Sequence, residues 1–308
     1  MTTRPASLLE ADAEALAADP GTVAGQFRFF DAEVVRTRRL GPTLVRVTFG
    51  GERLAGFASG GRDQSFSLFL PGPAQEAPLL PNRTGSEWYR HWQAVPENQR
   101  AVMRSYTVRA QRYHPVEVDV DFALHGTAPT DPPGTVGPAA AWAARARTGD
   151  RVVLLGPATA DNRSVNFRPP ADTDWVLLAA DETALPALGA ILNWLPTGTL
   201  VRAFVEVPHQ QDIQNLVGPA ELHVTWRVGE RRSATSGGLA DAVREAELPG
   251  GVPYAWIAGE SAMVRTLRRH LVRERGYARA RVQFSGYWRR GASEEQLRSK
   301  ASSVAEIE

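Results

Sequence analysis

From residue 27 onward the chain reads as short runs of β-branched and aromatic residues, separated by Gly and Pro. Runs at 27–38, 43–50, 64–70, 104–109, 116–124 and 151–155 have the length and make-up of strands. Turn signals stand between them at Leu40-Gly41-Pro42, Pro71-Gly72-Pro73 and Gly149-Asp150. Six short strands, with no long helical pattern among the first four, predict an antiparallel six-stranded Greek-key β-barrel. An insert at about 73–103 carries Trp88, Tyr89 and Trp92 and is expected to be partly helical. The first 25 residues are polar and alanine-rich, which suits a short helix or a loose arm.

After about residue 166 the rhythm changes. The run 175–180 is apolar throughout, and a helical pattern follows at 184–194. Strand patterns recur at 200–207, 222–228, 254–258 and 281–284, with helical ones near 239–246 and at 262–275. Strands alternating with helices predict a parallel sheet covered on both faces, and fully apolar strands fit such burial. The expected organisation is an arm at 1–25, a barrel domain at 26–165 and a Rossmann-like α/β domain at 166–308.

Composition narrows the chemistry. The 308 residues are 43% hydrophobic and 22% charged, the balance of a soluble globular protein of two ordinary domains. Cysteine is absent, which excludes disulfides, iron–sulfur clusters and cysteine-held zinc. Redox chemistry would therefore ride on a bound organic cofactor or on a metal held by other ligands. No metal site is expected. A net charge of +1 does not point to nucleic acid. No apolar run is long enough to span a membrane, and residues 1–20 lack a signal-like apolar stretch, so a cytoplasmic location is expected. Arginine is abundant and Lys300 is the one lysine. Genome composition and an arginine-lined anion pocket both account for that.

Five stretches carry candidate chemistry. A flavin needs an aromatic wall, a hydrogen-bond partner near its reactive ring nitrogen and positive charge near its phosphates. Arg104-Ser105-Tyr106-Thr107, on a strand, offers all three, with Arg104 and Tyr106 on one face and Ser105 and Thr107 on the other. The plain alternative is a strand with an exposed arginine. Next come Asp121-Phe122-Ala123-Leu124-His125-Gly126 and the small-residue stretch Val136-Gly137-Pro138-Ala139, which opens a helical pattern at 139–146. A helix start of this kind presents backbone N–H groups to a pyrophosphate, although Gly-Pro helix starts are common without one. His125 suits either a cofactor contact or a loop carbonyl. Asp181, Thr183 and Ala184 follow the first parallel strand, where open α/β sheets bind ligands. No glycine fingerprint stands there, and Asp181 is expected to cap the helix or orient other groups. Gly259 and Glu260 follow a later strand in the same way, and Gly259 permits close backbone approach. Finally, Tyr287-Trp288-Arg289-Arg290 follows the last strand, as a plug or as the wall of a cleft.

In this order the motifs resemble the siderophore-interacting proteins, FAD-dependent ferric-siderophore reductases of the ferredoxin-reductase superfamily. The match is carried by Arg104–Arg109, Asp121–Gly126, Gly137–Ala143, Asp181–Ala187, Tyr254–Glu260 and Gly286–Gly291, and spans about residues 27–291. The resemblance implies a flavin barrel followed by a nicotinamide domain. It assigns Arg104, Tyr106 and Thr107 to FAD and places 136–139 near its pyrophosphate. It sets Thr183 and Ala258-Gly259-Glu260 near NADPH or NADH. The family often carries a lysine in the third barrel strand toward the anionic siderophore. Ser67 takes that position here, which shifts the basic role to Arg62, Arg289 or Arg290.

The function expected is reduction of a ferric siderophore, with electrons passing from NAD(P)H through FAD. Fe(II) binds hard, anionic oxygen ligands more weakly than Fe(III), so reduction loosens the iron. Arg227, Arg231 and Arg232 suit a 2′-phosphate and tilt the reading to NADPH, whereas Glu206 suits a free ribose hydroxyl. The alternatives are a flavin reductase serving a protein such as a ferredoxin, and a flavin-containing siderophore-binding protein with little turnover.

Overall fold

A computed structural model describes residues 26–72, 75–81, 83, 87–127, 136–229 and 238–296. The chain divides into two compact units between Asn166 and Phe167. The first holds β1 (Phe27–Arg39), β2 (Leu44–Gly50), β3 (Ser65–Leu70), α1 (Trp88–Gln93), β4 (Val102–Thr107), β5 (Ala110–Tyr113), β6 (Val116–Ala123), α2 (Pro138–Ala143) and β7 (Arg151–Pro157). The described strands form one antiparallel sheet in the order β4-β3-β7-β1-β2-β6-β5.

Seven strands therefore stand where the sequence predicts six. The expected strand at 104–109 ends at Thr107, and β5 follows almost at once as a hairpin partner of β6. Its four residues include Gln111 and Arg112 and pack no core, so they carry no apolar alternation to be read.

One face of the sheet closes over a core that includes Phe30, Val47, Leu68, Val120, Phe122 and Leu154. The neighbouring residues Phe29, Phe69, Met103 and Val153 point the other way, and Trp88 and Trp92 of the insert cover them. Phe69 lies 5.9 Å from Trp88 and 6.4 Å from Trp92, both edge-on. That second layer explains why all six residues of β3 are buried and why its sequence does not alternate.

Away from the first core, β6 presents carboxylates at every second position. Glu117 is held by both guanidinium nitrogens of Arg36 (2.8 and 2.6 Å) and by Nε of Arg112 at 2.8 Å. Asp119 accepts from Arg112 twice, at 2.7 Å, and from the Thr48 hydroxyl at 2.7 Å. Asp121 is gripped by Arg46 at 2.6 and 2.8 Å. Arg36, Arg46 and Arg112 thus join these carboxylates in a charged ladder across four strands.

The second unit holds β8 (Trp175–Asp181), α3 (Leu185–Trp194), β9 (Leu200–Val207), β10 (Glu221–Val228), α4 (Leu239–Glu245), β11 (Pro253–Glu260), α5 (Ser261–Arg269) and β12 (Val282–Trp288). Its sheet is parallel, in the order β10-β9-β8-β11-β12. All seven residues of β8 are buried, as its apolar run predicts. Chain order runs outward on one side of β8 and then resumes on the other, so the topological switch lies between β8 and β11.

Two boundaries differ from expectation. β12 continues past Phe284 to Trp288 instead of stopping short of the aromatic pair. The small residues Ser285 and Gly286 hide this continuation, and Gly286 has a packing reason: a β-carbon there would lie 2.6 Å from the Ser261 hydroxyl. The last helix ends at Arg269 and passes into a π turn at His270–Glu274, closed by the Arg275 N–H on the His270 carbonyl at 3.0 Å.

Candidate functional site

In the first unit the expected flavin residues lie on β4, which ends the sheet order. Arg104, Ser105, Tyr106 and Thr107 face Leu68, Ser67, Phe66 and Ser65 of β3. Tyr106 is half-buried and packs one side on Phe122, with ring centroids 4.4 Å apart. One guanidinium nitrogen of Arg104 turns back to the Met103 carbonyl at 2.8 Å. Ser67 is buried opposite Ser105.

The end of β6 and the start of α2 meet this strand through the core. Phe122 and Trp142 are 5.8 Å apart, and Leu124 is buried in the same cluster. His125 sits on the turn after β6, where Gly126 takes φ 72°. Asp121 faces Arg46, so its acceptors serve an ion pair. Burial pulls Arg109 below the ordinary arginine value, against the charge of Asp121. Val136, Gly137 and Pro138 are exposed, and Ala139 is buried.

Gly137 is the N-cap of α2 and supplies no capping side chain. A β-carbon there would meet nothing within 4 Å among the described residues. Its φ of −69° is one that any residue adopts, so the glycine is not explained by backbone geometry. No side chain caps the first-turn amides of Ala139 and Ala140, which leaves donors of the kind a pyrophosphate oxygen accepts from.

Arg62 lies before β3 in a run of left-handed backbone: Gly61, Arg62 and Asp63 have φ 61°, 39° and 63°. Two consecutive non-glycine residues in this region are costly and are held by their surroundings. Gln64 and the buried Asn162 exchange amide hydrogen bonds at 2.7 and 3.2 Å beside them.

In the second unit the expected residues gather at the carboxyl ends of β8, β11 and β12. Asp181 is their centre. Its Oδ1 accepts from the Thr183 N–H at 2.9 Å and the Thr183 hydroxyl at 2.5 Å. Its Oδ2 accepts from the Glu260 N–H at 2.9 Å and from the Trp288 indole N–H at 2.8 Å. Glu260 caps α5 by accepting from the Ala262 and Met263 N–H groups at 2.5 and 3.0 Å. Ala184, fully buried, leads into α3.

Trp288 reaches Asp181 through a local irregularity. Gly259 pairs with Gly286, but Glu260 pairs with Trp288, leaving Tyr287 as an extra residue. A bulge of this kind re-aims the side chain that follows it. Arg289 and Arg290 are exposed just beyond, and the Arg290 N–H donates to Glu260 at 3.4 Å.

Glu206 was read from sequence only as a ribose partner. It stands beside Asp181 on one side and Arg227 on the other, in register across three strands. Its carboxylate accepts from the Leu239 N–H at 2.9 Å, at the start of α4. Burial raises its pKa, the Asp181 charge adds to this, and Leu239 and Arg227 oppose it. Arg227 is exposed, while Arg231 and Arg232 lie outside the described residues. Neither the Asp181–Trp288 bond nor the capping by Glu206 has a sequence signal, because each partner is remote in the chain.

Among the described residues, no group of three His, Asp or Glu residues is placed to hold a metal. No helix among them is long and apolar enough to cross a membrane.

Comparison with known proteins agrees along most of the chain. The model of the siderophore-interacting FAD-binding domain matches residues 33–161, and that of the siderophore-interacting protein matches 173–291. Ferric vibriobactin reductase ViuB of Vibrio cholerae is 32% identical over 280 residues, covering 90% of this chain and 95% of its own. The NADPH-dependent ferric-chelate reductase of Escherichia coli is 27% identical over 273 residues, covering 87% and 96%. The crystal structure of the siderophore-interacting protein SipS from Aeromonas hydrophila superposes with a TM-score of 0.71 at 28% identity, covering 91% of this chain and 99% of that one.

Proposed function

Because the chain belongs to the siderophore-interacting protein family, we propose that it reduces ferric siderophores with electrons drawn from a nicotinamide dinucleotide through FAD. One NAD(P)H and two ferric chelates give NAD(P)+, a proton and two ferrous chelates. Bound FAD supplies the exchange between a two-electron donor and a one-electron acceptor. The observation that carries this reading is the match to the V. cholerae reductase over 95% of its length.

The division of labour follows the sequence order. Residues 26–165, whose six longer strands we read as a Greek-key barrel with β5 appended, take FAD. Arg104, Ser105, Tyr106 and Thr107 hold the ring and phosphates, with Leu124 and His125 at the ring edge. Val136 to Ala139 receive the pyrophosphate, supported by the uncapped first-turn amides of α2. Asp121 contributes indirectly, by keeping β6 in place through Arg46. Residues 166–308 take the dinucleotide, with Thr183, Ala184, Gly259, Glu260, Tyr287 and Trp288 around its nicotinamide end. The position of Asp181 at the topological switch supports this. Arg62, Arg289 and Arg290 are the proposed contacts to the anionic chelate. A dinucleotide donor supports a cytoplasmic location.

The test is anaerobic mixing of the FAD-loaded protein with NADPH or NADH, then with a ferric siderophore and a dye that traps Fe(II). Bleaching of the flavin, followed by its return as Fe(II) appears, is the expected result. A flavin that never bleaches with either dinucleotide, and bleaches only with reduced ferredoxin, transfers the donor role to that protein. A flavin that no donor bleaches overturns the proposed activity.

A further inference from the structure

Resting on that reading, we infer that Asp181 is a positioning residue for the nicotinamide end: it does not touch the dinucleotide but fixes the Trp288 indole and the Gly259–Glu260 backbone that do.

The geometry leaves Asp181 little capacity for a ligand. Four donors converge on its two oxygens, two on each. The carboxylate is 5% exposed. A negative charge would also be a poor direct neighbour for a dinucleotide's phosphates. The groups it holds are different in kind. Trp288 is only half-buried, and its ring is an apolar plate of the size a nicotinamide needs. The Glu260 N–H is tied to Oδ2, which fixes the peptide that follows Gly259. Asp181 therefore joins the ends of three strands, β8, β11 and β12, at one point beside the switch of the sheet.

The carboxylate is required in its charged shape. Asparagine is the same size but offers one oxygen and one NH2. With its NH2 turned to Glu260 and Trp288 it meets two N–H donors and loses both bonds; turned to Thr183, whose hydroxyl can accept, it loses the bond from the Thr183 N–H, and the tie to Trp288 loses its charge. Tryptophan is required for its N–H as well as its ring, because phenylalanine keeps a plate but cannot donate to Oδ2.

The test compares Asp181→Asn, Trp288→Phe and the double variant with the wild-type protein, all FAD-loaded. Binding of NADP+ and NAD+ is measured by calorimetry without iron, and KM and kcat for the reduced dinucleotides are measured with a ferric chelate. Each single variant is expected to raise Kd and KM about tenfold, the weight of one charge-assisted hydrogen bond lost at a binding wall. The flavin-to-protein ratio should not change, and kcat should stay within about threefold. The double variant should be no worse than the poorer single one, because both break the same tie. If either single variant lowers the melting temperature but leaves Kd and KM within about twofold, Asp181 is merely structural and the inference fails. Should Asp181→Asn not fold, Trp288→Phe decides the matter alone. A wild-type protein that binds neither dinucleotide defeats the proposed donor and this inference together. A wild-type protein that binds one, with unaltered variants, defeats only the inference.

Discussion

A β-carbon on residue 259 would stand 2.6 Å from the carboxylate carbon of Asp181. Gly259 also takes φ 138°, a conformation essentially reserved for glycine. Gly259→Ala is therefore expected to destabilise the protein by about 2 kcal/mol or more, since backbone strain alone costs about 1–3 kcal/mol. It should also weaken dinucleotide binding, because the intruding methyl displaces Asp181. Thermal melts and calorimetry with NADP+ check both. A variant with wild-type stability would mean that the backbone relaxes there freely.

Gly137 is the opposite case. Its φ and ψ, −69° and 150°, admit alanine, and none of the described residues lies within 4 Å of a β-carbon there. Gly137→Ala should cost no more than about 1 kcal/mol of stability, alanine being the poorer N-cap. Its added methyl should nevertheless lower FAD affinity about tenfold if a pyrophosphate packs there, a loss of about 1.4 kcal/mol. Equilibrium titration of the apoprotein with FAD measures this. Unchanged affinity would move the pyrophosphate elsewhere.

The carboxylate ladder on β6 predicts acid sensitivity of a definite sign. Arg36 and then Arg112 hold Glu117 below its ordinary 4.5, against burial. Burial pushes Asp119 up, but Arg112 and Thr48 outweigh it and bring it below 3.8. A carboxylate with a lowered pKa binds fewer protons folded than unfolded. Its contribution is thus present above the ordinary value and is lost as the pH falls through the folded one. Melting temperature should drop steeply below about pH 4. Arg112→Gln, which removes a partner of both carboxylates, should melt lower at pH 7 and lose less on acidification. Parallel curves for the two proteins would show that the ladder does not set the acid limit.

Glu206 behaves in the reverse sense. With its pKa raised chiefly by burial, the folded protein holds its proton more tightly than the unfolded chain. Stability from this group is present below the ordinary 4.5 and is lost as the pH rises through the folded value. Glu206→Gln keeps an acceptor for Leu239 and removes the charge. Its melting temperature relative to wild type should therefore rise between about pH 4.5 and 7. The same variant should shift the NADPH-to-NADH ratio of kcat/KM upward, and Arg227→Ala should shift it downward. A ratio that moves with neither would remove both residues from dinucleotide choice.

Much of this was legible in the chain, and the rest was not for identifiable reasons. β8 announces itself because burial on both faces leaves no polar residue before Asp181. β3 was legible as a strand, but its second buried face was not, since the insert that covers it lies elsewhere in the sequence. β5 was missed because Ala110, Gln111, Arg112 and Tyr113, none of them buried, owe their strand form to β6. Candidate site residues could be listed from their motifs. Their division of tasks could not, because Asp181, Glu206 and Arg46 are defined by partners that only the fold brings near.

The tie at Asp181 has a bearing on how the molecule comes into being. Its partners Glu260 and Trp288 lie 79 and 107 positions downstream. Contacts that span so much chain form late, since the loop they close must first be drawn in. On the ribosome, β8 emerges with its terminal carboxylate awaiting donors not yet synthesised. The segment that would receive FAD has by then been made in full. A nascent chain halted before residue 288 is expected to acquire flavin while showing no affinity for a dinucleotide, so the half that accepts electrons is born before the half that fuels it.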